Sequence, residues 1–387
     1  MPVRRWRGAF RIPRRRRRGQ GTGIRLGTRQ VPRCERSRQL ERILNVALVG
    51  YGFVGKVFHA PLIANTPGLR LHTVVSSDAA KVLADWPEAR VVADAQAAFA
   101  DADIDLAVIA TPNHTHAPLA NAALARGKHV VVDKPFALDL AEARQVVANA
   151  AEADRIVSVF QNRRWDADFL TLRSLVDGGA LGEVSELHSH FDRYRPEVAD
   201  RWRERDQPGS GLWYDLGPHL LDQALQLFGM PLAVFADIGR QREAAQVDDY
   251  FHVLLRYRQR RVLLHAGSLV PANELRFAVH GTRGSYLKYG MDGQEAALRN
   301  DAVPGGPDWG LDRRPGELHQ VGADGMRINS VPGLAGDYRR YYQAMYAAIV
   351  QDQPPPVTTD EALQVMALLQ LAKESSDAVR ELACMQV

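Results

Sequence analysis

From residue 43 onward, short runs that are apolar at almost every position alternate with longer stretches apolar at every third or fourth. ILNVALVG (43–50), LRLHTVVSS (69–77), DIDLAVIAT (103–111), KHVVVDK (128–134) and RIVSVFQN (155–162) are of the first kind. VFHAPLIANT, APLANAALARG and AEARQVVANAAEA lie between them and carry the helical spacing. Strands apolar on both faces need cover on both, and strands that alternate with helices run parallel. The pattern predicts a doubly wound parallel sheet over residues 43–160.

Past Asn162 the rhythm changes. A helical stretch at 166–177 is followed by EVSELHSHFDRY, VFADIGRQ, DYFHVLLRY, RRVLLHAGSLV and RFAVHGTRGSYLKY, several of which alternate with period two, and GTRGS reads as a turn. Such strands, with no helices between them, predict a largely antiparallel sheet with one open face. Residues 290–333, rich in Gly, Pro and Asp, read as irregular, and helices are expected at 335–351 and 359–380, the latter after PPPVTTDE. The fold class is thus α/β: an N-terminal doubly wound (Rossmann) domain and a C-terminal α+β domain over 161–387. The open face of the second sheet is expected to support a homo-oligomer.

Composition refines this picture. Residues 1–42 hold 15 arginines, no lysine and two acids, a charge of 15 − 2 = +13, so the chain's +4 leaves 4 − 13 = −9 for residues 43–387. The tail is expected to be a disordered or wrongly started leader; a nucleic-acid or membrane-surface arm and a targeting peptide are the other readings. The folded body is acidic, which argues against nucleic acid as its partner. No run approaches the ~18 apolar residues of a membrane helix. Cys34 and Cys384 form no metal or disulfide pattern, which suits a reducing, cytoplasmic compartment.

The candidate chemistry sits where strands end. GYGFVG places Gly50, Tyr51, Gly52, Phe53, Val54 and Gly55 in the G-x-G-x-x-G spacing at a strand-to-helix turn, the pattern that cradles a dinucleotide pyrophosphate. The second strand ends on Ser76 and Ser77, with an acid only at Asp78. Small hydroxyl residues leave room for a 2′-phosphate, so NADP is favoured over NAD, although no arginine is adjacent. HVVVDKPFAL (129–138) runs a buried strand into Asp133, Lys134 and Pro135, which aims Lys134 at the ligand crevice. A cis Lys134–Pro135 bond would serve that aim. In WYDLGPHLLD (213–222), Pro218 fits a first helical position, and Asp215 and His219 lie four apart on one face, able to form a tuned acid–base pair. The plainer reading has Asp215 capping the helix and His219 packing. No third ligand stands at readable spacing, so no metal is expected there.

Together GYGFVG, TPNHTH (111–116), DKP (133–135), NRRWD (162–166) and DLGPH (215–219) resemble the glucose–fructose oxidoreductase, inositol dehydrogenase and rhizopine-catabolism (Gfo/Idh/MocA) family, over residues 43 to the end. FDRYRPEVADRWRE, SLVPAN and KYGMDGQEAALR look most like its NADP-linked scyllo-inositol dehydrogenase branch, which can carry a basic residue where this chain has Asp78. The resemblance implies an NAD(P)-dependent dehydrogenase of a polyol or sugar. Lys134 would polarise the reacting oxygen, His219 take the hydroxyl proton, and Asp215 orient it. Thr111, Pro112, Asn113, His116 and Asp133 would border the cofactor. Asn162, Arg163, Arg164 and Trp165 would lie near the nicotinamide, and Arg193, Tyr194, Tyr214 and Tyr250 would meet the substrate. The family also contains NAD-assisted glycoside hydrolases, and a dinucleotide-binding sensor without turnover is a further alternative.

Overall fold

The computed structural model describes residues 42–384; the expectations for the arginine-rich tail and for Cys34 lie outside the described residues. The first sheet contains β1 (Leu44–Val49), β2 (Leu69–Val75), β3 (Arg90–Val92), β4 (Leu106–Ile109), β5 (His129–Val132) and β6 (Val157–Val159). Its order is β3-β2-β1-β4-β5-β6, parallel throughout. The four residues of β4 and the last four of β1 are all buried, as their unbroken apolar runs require. β3 is the one strand of this sheet that the apolar pattern missed: three residues at a sheet edge, none of them fully buried.

The second sheet has nine strands: β7 (Val184–His190), β8 (Ala233–Gly239), β9 (Tyr250–Arg256), β10 (Arg261–Gly267), β11 (Leu275–Gly281), β12 (Gly284–Tyr289), β13 (Gly316–Gly322), β14 (Gly325–Val331) and β15 (Leu382–Ala383). They lie in the order β14-β13-β12-β11-β7-β10-β9-β8-β15. All pairs are antiparallel except β7 with β10. Buried and half-buried residues alternate along β9, so one face is packed and the other open. The helix Leu212–Phe228 covers the packed face, its Trp213 ring 4.9 Å from that of Phe251.

Two expectations are corrected. Residues 290–333 are not wholly irregular: they form the helix Gln294–Arg299 and the hairpin β13–β14. Most of β14 is exposed, and its short alternation of Met326 and Ile328 with Arg327 and Asn329 is lost in a Gly-, Pro- and Asp-rich stretch. Pro218 lies inside its helix rather than at the first position. The helix begins earlier because a carboxylate distant in sequence caps it: Asp248 Oδ2 accepts from Trp213 N at 2.6 Å, and Asp248 O accepts from Leu212 N at 2.9 Å. Burial pushes the Asp248 carboxyl up to about 6.

The final helices return to the first sheet. Ser158 of β6 donates to Val357 O (2.9 Å), and the rings of Tyr341 and Tyr342 stand 4.9 and 5.8 Å from Phe160. Thr358 and Glu361 form a reciprocal cap at the start of the helix Thr359–Ala378. Among the described residues, no helix is long and apolar enough to cross a membrane.

Candidate functional site

The strand order reverses between β1 and β4, and a crevice opens there at the carboxyl ends. The glycine loop leaves β1 at its rim. Gly50 has φ +99°, and a Cβ on it would lie 2.5 Å from Ala110 O; a Cβ on Gly55 would lie 2.1 Å from Gly50 O. Both glycines are thus demanded by the protein's own packing. Gly52 differs: a Cβ there would meet no atom within 4 Å, so its backbone faces open space. That division of labour fits a dinucleotide, whose pyrophosphate needs one bare stretch of backbone.

Ser76 follows β2, and its hydroxyl accepts from Asp78 N at 3.1 Å. Asp78 itself caps the next helix, accepting from Lys81 N at 3.0 Å. Lys81 then reaches back to the loop, with Nζ 3.1 Å from Tyr51 O and 5.6 Å from the centre of the Tyr51 ring. This cation was not read from the sequence, although its place three residues after a capping Asp is a usable signal. Exposed Phe53 lies beneath the Arg299 guanidinium, 4.5 Å away, so the helix unforeseen in the 290–333 stretch shields the loop.

Lys134 ends the turn after β5, and its peptide bond with Pro135 is cis. Its Nζ donates to Asp215 O at 2.6 Å and to Asp215 Oδ1 at 2.8 Å. Burial pushes the Asp215 carboxyl up, but Lys134, then Arg203 at 3.4 Å, outweigh it and hold it well below the usual carboxylate range. His219, one turn further along the helix, is buried edge-on to Phe191 with ring centres 6.5 Å apart. Burial, then the charges of Lys134 and Arg163, hold its ring well below the ordinary value, so it is neutral near pH 7. The structure therefore brings an ammonium from the first half of the chain and a neutral imidazole from the second into one neighbourhood.

The surrounding loops lock this arrangement. His116 is fully buried, its ring nitrogens 2.7 Å from Pro135 O and 2.9 Å from Thr111 O, so it bridges the two loops that follow β4 and β5. Pro112 N-caps the short helical turn Asn113–Thr115. Asn113 donates to Gly209 O at 2.7 Å and so anchors the segment over the crevice. Asp133 is buried 3.8 Å from His59, whose other nitrogen is 2.6 Å from Tyr342 Oη. Lys134, Asp215, Asn113, Tyr214 and Arg203 line one small cavity. Arg203 is a second residue missed from sequence, hidden among five arginines between Arg193 and Arg205.

The remaining expected residues take several places around these elements. Buried Asn162 begins the turn after β6. Arg163 pairs with Glu295 at 2.7 Å beside Phe191. Arg164 faces away, paired with Asp222 (2.6 Å) and Glu361 (3.2 Å), and Trp165 packs on Tyr341. Arg193 donates to Asp192 O at 2.8 Å, and Tyr194 is 56% exposed. Tyr250 is corrected: strand alternation turns Phe251 toward Trp213 and leaves Tyr250 on the open face beside His265, away from the crevice.

Comparison with known proteins agrees with this architecture. Residues 44–161 match the description "Oxidoreductase family, NAD-binding Rossmann fold", and residues 173–382 match "Oxidoreductase family, C-terminal alpha/beta domain". The uncharacterized oxidoreductase YdgJ of Escherichia coli is 52% identical over 333 residues, which cover 86% of this chain and 96% of that protein. The scyllo-inositol 2-dehydrogenase (NADP(+)) IolW of Bacillus subtilis is 38% identical over 339 residues, covering 87% and 95%. The solved structure of YPO2259 from Yersinia pestis superposes with a TM-score of 0.87 at 48% identity, covering 90% of this chain and 99% of that one. With an NAD(P)-binding Rossmann sheet and both halves of the family matched in order, the chain belongs to the Gfo/Idh/MocA oxidoreductases.

Proposed function

We propose that the protein interconverts a secondary alcohol and ketone on a cyclic polyol or sugar, with NADP as redox partner and an inositol-like ring as substrate. The observation that carries this reading is the hydrogen-bonded pair Lys134–Asp215, one helical turn from neutral His219. An ammonium has three protons. Two are committed to Asp215 O and Oδ1, which leaves the third to donate to the reacting oxygen. That donor steadies the negative charge that develops as the C–H bond breaks. A neutral ring at His219 accepts the hydroxyl proton, and in the reverse direction returns it. Asp215 positions Lys134 and balances its charge. The nicotinamide, when bound, supplies the hydride acceptor or donor.

The NADP preference rests on Lys81 and the serines. Asp78 is occupied as a helix cap, while Lys81, three residues on, sets a positive charge at the glycine loop, 3.1 Å from Tyr51 O. The relative named as an NADP-linked scyllo-inositol 2-dehydrogenase supports both the cofactor and the substrate class.

The test is turnover of NADP and NAD against inositols, aldoses and sugar acids, read at the nicotinamide absorbance. His219→Ala is expected to lower kcat by about 10²–10⁴-fold, equivalent to roughly 3–5 kcal/mol of barrier. Near-wild-type turnover in that variant would remove His219 from the mechanism.

A further inference from the structure

The open face of the large sheet carries a cluster that the crevice chemistry does not use. β7 and β10 run parallel with His190 opposite His265, and β10 and β9 run antiparallel with His265 opposite His252. One cross-strand row therefore presents three imidazoles, since directly opposed residues share a face. The His190 and His265 ring centres are 5.2 Å apart, and those of His265 and His252 are 5.6 Å apart.

Just past β7 the chain brings a buried carboxylate up to that row. Asp192 Oδ2 lies 3.0 Å from His190 Nδ1, and Oδ1 lies 3.3 Å from His265 Nε2. The same carboxylate accepts from Gly267 N at 3.1 Å, which fixes its position. Intervening Phe191 points the other way, onto His219, so the cluster and the crevice lie on opposite faces of the sheet.

We propose that His190, Asp192 and His265 bind one divalent transition-metal ion of the zinc, cobalt or nickel type. The three residues offer ligand atoms that all lie within 4.8 Å of one another. Metal–nitrogen bonds of about 2.1 Å place neighbouring ligand atoms roughly 3.4 Å apart. His190 Nδ1 and His265 Nε2 stand 3.0 and 3.3 Å from different oxygens of Asp192, so both rings and the carboxylate need only small shifts to converge on one ion. Two imidazoles and one carboxylate suit these ions rather than calcium or magnesium, which prefer all-oxygen sites. A carboxylate that merely closed a turn would need Gly267 N–H alone. Here two rings from different strands are aimed at its two oxygens, and His190 and His265 keep 18% and 17% side-chain exposure through which an ion can enter. The bound ion would tie the segment that leads to Arg193 onto β10, as a structural clasp behind the crevice.

The experiment uses the untagged full chain, stripped with chelator and titrated with Zn²⁺ by calorimetry and with Co²⁺ by visible absorption. One ion per chain, a dissociation constant at or below about 1 μM and a chelator-reversible Co²⁺ band are expected, together with a higher melting temperature. His190→Gln with His265→Gln, and separately Asp192→Asn, should weaken binding by at least ~100-fold while NADPH binding persists as a check of the fold. Absence of a band, or equal affinity in these variants, overturns the site. Should the variants fail to bind NADPH, the Co²⁺-loaded wild type decides: paramagnetic shifts on two imidazoles support the proposal, and fewer overturn it.

Discussion

Lys81 shows how much a single side chain can redirect a functional reading. The sequence ends the second strand on Ser76 and Ser77 and brings an acid only at Asp78, just past the position where an NAD enzyme would bind ribose hydroxyls. In the fold that acid is spent on a helix cap, and the helix it starts projects a lysine back over the glycine loop. Lys81→Ala is therefore expected to weaken NADPH binding by about 10–100-fold, the value of one charge-assisted contact, and to change NADH binding less than about 2-fold. Paired dissociation constants measured by fluorescence check this; equal losses for both cofactors would show that Lys81 does not sense the 2′-phosphate. Tyr250 is the opposite lesson. Its composition suited a hydroxyl-rich pocket, but one step of strand alternation decides the face, and Phe251 takes the inner one.

Among the elements, the loop after β1 separates two demands on glycine. A methyl at Gly55 collides with Gly50 O, whereas one at Gly52 meets no protein atom. Gly55→Ala should lower stability by about 1–3 kcal/mol through overpacking and abolish NADPH binding. Gly52→Ala should keep the wild-type melting temperature and weaken only NADPH. Thermal melts and cofactor titrations on the pair separate the two roles; a destabilised Gly52→Ala would refute the division. The alternating strands and helices, the glycine loop and the Lys134 turn were legible because each leaves a local mark: an apolar run, a fixed spacing, a proline. The start of the Leu212–Phe228 helix was not, because its cap comes from Asp248, far along the chain. The β13–β14 hairpin stayed hidden because its apolar positions, Val321, Met326 and Ile328 among them, are few and exposed and sit in a Gly-, Pro- and Asp-rich stretch. The row of His190, His265 and His252 exists only in the register of three strands.

Across the whole molecule, burial keeps many imidazoles neutral. The rings of His129, His219, His252 and His265 are all pushed below their ordinary value, His129 to about 4. In the unfolded chain they protonate near 6.5. Below that pH the unfolded state binds the more protons, so their stabilisation is complete above about pH 6.5 and is lost as pH falls toward about 4. Glu295 adds a lower window: burial pushes it up, Arg163 and Arg299 outweigh that, and it stays at about 2. Urea midpoints are expected to drop between pH 7.5 and 5; a flat profile would mean that these rings already protonate in the folded protein.

The return of the last helix to the first sheet bears on how such proteins can be recombined. Ser158 donates to Val357 O just ahead of that helix, and Leu140 N donates to Gln370 Oε1 within it at 3.4 Å. A chimera that swaps the nucleotide half for a homologue's inherits a seam at the far end of the chain as well as the obvious one near the middle. Exchanging specificity between relatives thus calls for three grafted pieces, with the tail-end helix travelling alongside the half it braces.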